Sequence, residues 1–349
     1  MQVHIYHLRA LSPFHLGERG IGLEASEVVA HADTVFSALC SVGREVYGVR
    51  WLEDLLAAFW EAPPFLLSSA FPYAAAGDAV LRLYPRPLGI PPGVGAGDAA
   101  ATKRIKSVEF VSEAIFLKWI AGQSLAAEMP DDTTLVQEKN VWVSRAELSD
   151  LRVYATACGE GQPTLWCKSD VPRVTVDRIQ NSSAVYQAGR VTFQRGGGLW
   201  VGFVWGSDTE LANQIDALLR VLGHAGMGGE RSSGHGQFEV AGSVTVDLPD
   251  AGDAHVLLST YWPRREGEAA ALADPRAAYK LMVRRGWIGS PEGGTLRRKA
   301  VRMLSEGSVL PGEPHPRGGL VDVTPDALTA HRVYRYGYAL PVGMTGGAT

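Results

Sequence analysis

The chain has 349 residues, 46% of them apolar and 20% charged, and a formal net charge of −4. That composition supplies core for about two domains and excludes a mainly disordered polypeptide. No apolar run approaches the roughly 20 residues that a transmembrane helix needs. Residues 3–8 alternate as a strand, and the opening "MQVHIYHLRALSPF" lacks the basic head, apolar stretch and cleavage site of a signal peptide, so a cytoplasmic location is expected. "SPFHLGERGIG" at 12–22 reads as an exposed loop. From Asp33 onward Val35, Leu39, Val42 and Val46 recur at helical spacing, with Asp33 expected to cap the first turn, and Leu52, Leu55, Leu56 and Phe59 continue in a second helix. "PFLLSSAFPY" (64–73) predicts the second strand. Residues 85–97 hold eight Pro or Gly among thirteen and predict an irregular insertion. In 103–120, Val108, Val111, Ile115 and Trp119 predict one peripheral amphipathic helix behind a basic lead-in.

"LWVGFVW" (199–205) reads as a buried strand, and Ser207 to Glu210 as a capping box opening a helix with Leu211, Ile215, Leu218, Leu219 and Leu222 on one face, ended by Gly223. A glycine-rich loop at 226–237 leads into a strand alternating Phe238, Val240, Val244 and Val246. The order is strand–helix–strand, insertion, strand–helix–strand, that of the ferredoxin-like split βαβ unit also used by RRM domains. After a weak linker at 247–253, a strand at 255–262, a helix at 273–285 and strands near 299–305, 319–323 and 331–338 predict a second, smaller unit. The expected fold is therefore α+β, with two ferredoxin-like domains at 1–249 and 250–349.

The loop at 226–237 carries five glycines with Glu230, Arg231, Ser232, Ser233 and His235. Glycines let backbone N–H groups turn toward one point, and such a nest beside Arg231 and two hydroxyls suits a phosphate ester. It is not a phosphate-binding loop of the Walker type, because the Gly-Lys-Ser/Thr ending is missing, nor a dinucleotide fingerprint, because it does not follow a strand. Residues 169–194 read as a long hairpin with a polar tip at Asn181–Ser183 and ionic groups at Arg173, Asp177 and Arg178. Local charge departs from the net value: 284–302 holds six cations against Glu292, and 168–195 holds five against Asp170 and Asp177. Cys40, Cys158 and Cys167 lack metal or redox spacing and are expected to be reduced, inert thiols. No metal, cofactor or catalytic motif is evident. His15, His31 and His235 fall in or beside loops at one end of the predicted sheet, where a histidine could act as general acid or base in metal-independent RNA cleavage.

Four segments together resemble the RAMP proteins of type III-A CRISPR (Csm) effectors, and among these the fourth subunit: "HADTVFSAL" (31–39), "PRVTVDR" (172–178), "GGERSSGHGQF" (228–238), and "RKAVRMLSEGSVL" (298–310) with "HRVYRYGYALPVGM" (331–344). The resemblance spans nearly the whole chain and implies two ferredoxin-like folds. It implies that the chain binds the 5′ handle of the crRNA and contacts the large polymerase-like subunit and the backbone RAMP subunit, without nuclease activity. By that resemblance Gly228, Gly229, Arg231, Ser232, Ser233, Gly234 and Gly236 would contact the handle. Arg173, Asp177 and Arg178 would form the base of a hairpin thumb, and Ser37 would lie on a helix beside the RNA backbone. Two other readings compete: a RAMP-type metal-independent endoribonuclease processing repeat RNA, and a protein-only interaction module.

Overall fold

The structure is a computed structural model that describes the chain except residues 18–25, 95–98, 149–163, 177–182, 265, 295 and 347–349. It is mixed α+β. Strand β1 (Gln2–Ala10) is followed by helices α1 (Ala32–Tyr47) and α2 (Val49–Glu61) and strands β2 (Phe65–Leu67), β3 (Phe71–Ala76) and β4 (Ala79–Pro85). The expected strand at 64–73 is thus interrupted. Ser68 and Ser69 are both fully buried; Ser68 N–H still donates to Gly202 O of the neighbouring strand (2.9 Å), but Ser69 turns away, its N–H donating to Leu258 O (2.8 Å) and its Oγ accepting the N–H of Ala32 (2.9 Å). The first turn of α1 is therefore capped from a distant strand. His31, its N-cap residue, makes no side-chain cap, and Asp33 is engaged elsewhere.

The segment predicted as one helix at 103–120 divides into α3 (Ala99–Ser107), β5 (Phe110–Ser112) and α4 (Glu113–Ile120). Ile115, Phe116, Trp119 and Ile120 are all buried, so α4 is a core element and not peripheral. Helical and strand periods both fit 108–115, and tertiary packing decides between them. Short strands β6 (Leu135–Val136) and β7 (Val141–Trp142) follow, then the hairpin β8 (Trp166–Val176) and β9 (Ser183–Phe193), then β10 (Gly198–Trp205), α5 (Thr209–Ala225) and β11 (Phe238–Asp247). Asp208 caps α5 by accepting the N–H of Leu211 at 3.0 Å. Gly223 lies inside the helix, packed against Phe238, and Gly226 (φ 81°) ends it.

The main sheet runs β11-β1-β10-β3-β4-β5-β7-β6, with β2 also paired to β10, and is antiparallel except at β5–β7. Within it β11, β1, β10 and β2 with β3 stand in the order fourth-first-third-second of a split βαβ unit. That order puts the C-terminal end of β1, the start of α1, the end of α5 and the start of β11 at one end of the sheet.

Beyond residue 250, β12 (Ala254–Leu257) lies between β15 (Val309–Pro311) and β18 (Pro341–Met344). Two hairpins, β13 (Leu281–Arg284) with β14 (Val301–Leu304) and β16 (Leu320–Asp322) with β17 (Tyr334–Tyr336), complete the region with the five-residue helix α6 (Glu266–Ala270). The helix expected at 273–285 is absent, and its C-terminal half is β13. Its odd and even positions separate cleanly, Leu281 and Val283 exposed and Arg284 buried, which is a period of two. The two parts share one core, in which Val256, Leu258, Tyr336 and Leu340 pack with residues of the first 250. Tyr336 Oη accepts the N–H of Leu67 at 2.9 Å.

An ionic cluster crosses the same junction. Asp33 is 2% exposed and holds Arg284 (2.9 Å) and Arg335 together. His31 lies between Glu27 Oε2 (2.7 Å) and Glu306 Oε1 (2.7 Å). Of the cysteines, Cys40 is a free, half-buried thiol whose pKa is pushed up to about 12 by desolvation, whereas Cys167 is disulfide-bonded, against the expectation of a reduced thiol. Cys158 lies outside the described residues.

Candidate nucleic-acid interface

Residues 11–16 hold two elements at once. On one side Phe14 pairs with Val191 of β9 (N–H to O 2.8 Å in both directions), and His15 Nδ1 bonds Gly189 O at 2.6 Å. On the other side Gly229 N–H donates to His15 O (2.8 Å), Gly236 N–H to Pro13 O (2.8 Å), and Leu11 N–H to Gln237 O (2.9 Å). The glycine-rich loop and the base of the hairpin, some forty residues apart in the chain, are thereby fixed side by side. Sequence reading put the loop and the hairpin on the page separately and missed the clamp between them. Nothing in "SPFH" marks it, because its hydrogen-bond partners are backbone atoms.

Inside the loop the glycines have distinct duties. Gly226, Gly228, Gly234 and Gly236 take left-handed φ values of 81°, 101°, 80° and 80°, which L side chains rarely adopt. A Cβ on Gly229 would stand 2.6 Å from the His15 ring. Most of the N–H groups that the sequence suggested for an anion nest are used internally: Met227 bonds Gly236 O (2.9 Å), and Ser233 and His235 bond Glu230 O (3.0 and 3.3 Å). Those of Glu230, Arg231 and Ser232 donate to no other part of the described chain. Glu230 itself is left-handed (φ 55°), so the chain reverses there, and Arg231, Ser232, Ser233 and Gly234 are exposed. The Glu230 carboxylate accepts Ser233 Oγ at 3.2 Å. Arg231 and Ser232 are left as the free polar side chains, beside a shallow depression also lined by Ala225, Gly228 and Gly229.

His235 is buried beneath this tip with its Nδ1 unpartnered. Burial, and after it the positive charge of Arg173, holds its pKa below the ordinary imidazole value, so it is neutral at physiological pH. The coupling also places Arg173 of β8 near the loop. Across the hairpin Arg173 faces Tyr186, and Val174 faces Val185; the two valines are 57% and 68% exposed. Asp177 and Arg178, with the tip residues Asn181 and Ser182, lie outside the described residues. Ser37 lies on α1. It is half-buried, its carbonyl accepts Ser41 Oγ (2.8 Å), and it bonds neither loop nor hairpin. The three histidines separate as well: His15 and His235 underlie the loop, and His31 belongs to the ionic cluster.

Residues 250–344 match the family model of the CRISPR Csm4 C-terminal domain. Over 318 residues the chain is 26% identical to the CRISPR system Cms protein Csm4 of Thermococcus onnurineus (strain NA1), covering 90% of this chain and 92% of that protein. The chain is thus similar to Csm4 proteins over nearly its whole length. Solved structures agree with this similarity in fold. A chain of the Csm3-Csm4 subcomplex in the type III-A CRISPR-Cas interference complex matches with a TM-score of 0.63 at 18% identity, over 98% of this chain and 99% of that one. A chain of the Csm1-Csm4 cassette in complex with cA4 matches with a TM-score of 0.57 at 21% identity, over 99% and 98%. No helix among the described residues is long and apolar enough to cross a membrane.

Proposed function

We propose that the chain is a non-catalytic RNA-binding subunit of a type III-A CRISPR effector complex, acting in the cytoplasm. It holds the 5′ handle of the crRNA and joins the large polymerase-like subunit to the backbone RAMP subunit. The relatives' solved assemblies, Csm1 with Csm4 and Csm3 with Csm4, supply the partners. On this reading residues 1–249 form one ferredoxin-like unit, supported by the fourth-first-third-second strand order, and 250–349 a second, reduced one. The observation that carries the proposal is the clamp at Pro13–His15, which puts the exposed Arg231–Gly234 tip and the Arg173 side of the hairpin on one surface. Backbone N–H groups, a guanidinium and hydroxyls there suit phosphate and sugar oxygens.

The endoribonuclease reading gains no support from the histidines. His15 and His235 are 4% and 6% exposed, and His31 is enclosed by two carboxylates. The test is filter binding of handle RNA by the Arg231→Ala, Ser232→Ala double variant. Neither side chain makes a contact the fold needs, so the protein should stay folded and lose RNA affinity. Unchanged affinity sinks the assignment. Specific cleavage of repeat RNA that is abolished by His15→Ala, His31→Ala or His235→Ala would instead establish the nuclease.

A further inference from the structure

The basic run at 284–302 divides once its side chains are followed. Arg284 is buried on Asp33, Arg298 is half-buried above Cys40, and Lys299 pairs with Asp326 at 2.6 Å. The remaining cations belong to the outer face of the ribbon made by β13 and β14. Along its first strand every second residue points outward: Tyr279 is 39% exposed, Leu281 52%, Val283 39% and Trp287 58%, with Arg285 exposed between the last two. On the second strand Arg302 stands opposite Val283, and Arg297 opposite Trp287, with its guanidinium 4.6 Å from the ring centroid. No Asp or Glu occurs in 279–288 or 296–304, in a chain whose net charge is −4.

We propose that this face is a protein-docking surface whose occupant is another subunit of the effector, presenting an apolar strip bordered by carboxylates; the inference rests on the assembly reading above. An exposed row of large apolar side chains with arginines at its margin is the composition of an interface core and rim. Two strands that carry arginines and no carboxylate of their own favour an acidic partner. Single-stranded RNA fits less well. The two central residues, Leu281 and Val283, offer no ring for a base to stack on, the Trp287 ring is already covered by Arg297, and Arg284 is committed to a buried ion pair within the chain.

The test uses the full chain with Leu281→Ser and Val283→Ser, and separately Arg285→Glu with Arg302→Glu, after thermal melting has shown each variant folded. Affinity is measured for the purified polymerase-like subunit, for the purified backbone RAMP subunit, and for handle RNA. The serine pair should weaken binding to one protein subunit by about tenfold or more. The glutamate pair should weaken the same contact and reverse its salt dependence, and RNA affinity should stay at the wild-type level. The inference is overturned if both protein affinities are unchanged, or if RNA affinity is what falls. Wild-type chain that binds neither subunit overturns the assembly reading and this inference with it.

Discussion

Replacing Asp33 separates two accounts of the start of α1. As a helix cap, Asp33 would contribute about 0.5–2 kcal/mol and could be replaced by serine. In the structure it is the carboxylate that bonds two arginines, Arg284 and Arg335, whose side chains are 10% and 2% exposed. Removing one partner of a buried ion pair costs about 3–5 kcal/mol, because the remaining charge has no water to turn to. Unfolding entropy of about 2.1 cal/mol/K per residue gives about 0.7 kcal/mol/K for this chain, so the loss is about 4–7 °C in Tm. Asp33→Ser should show that full loss in a thermal scan at neutral pH, and Asp33→Ala the same within about a degree. A serine variant that melts within about 2 °C of wild type refutes the buried triad and restores the cap.

Three further outcomes follow from the same contacts. Flanking carboxylates raise the pKa of His31 against the opposing effect of burial, and Glu27 and Glu306 are lowered by His31. The histidine's contribution is therefore present below its unfolded value of 6.5 and lost as pH rises through the folded one, whereas that of the two glutamates is present above 4.5 and lost as pH falls. His31→Gln should remove the alkaline fall in denaturant stability, and an unchanged alkaline limb would contradict the cluster. Gly229→Val should destabilise the protein by driving a side chain into His15, so it reports on folding as well as RNA; a variant with wild-type melting would mean the loop and residues 13–16 are not in contact. Arg173→Ala should lower the log–log salt slope of handle binding by about 0.7, the value for one neutralised charge on a single strand. An unchanged slope places Arg173 off the RNA path.

The sequence disclosed what depends on short spacings. The alternation in β1 and β11, the leucine stripe of α5 and the glycines of the loop all lie within one element each. Misreadings arose where a local pattern was ambiguous or a partner was remote. Residues 108–115 satisfy helix and strand periods alike, and 273–285 carried helix formers although β13 obeys a period of two. Asp33 read as a cap because its partners are 251 and 302 residues away. The same distance hid the role of His31 beside Glu306, 275 residues on. Residues 13–16 had no legible signal, since their hydrogen-bond partners in the loop and hairpin are backbone groups far away in the sequence. Ser37 entered through family resemblance alone, and its carbonyl is hydrogen-bonded to Ser41 on the same helix.

The central claim is that the clamped loop and hairpin form one RNA-binding surface. Ultraviolet cross-linking of the chain, in its assembled complex, to a crRNA carrying a photoreactive base in the 5′ handle tests this most directly when adducts are mapped by mass spectrometry. The account predicts adducts within 228–236 and on β8 or β9 near Arg173, and their loss in the Arg231→Ala, Ser232→Ala double variant. Handle adducts confined to other parts of the chain, or carried only by its partner subunits, would contradict it.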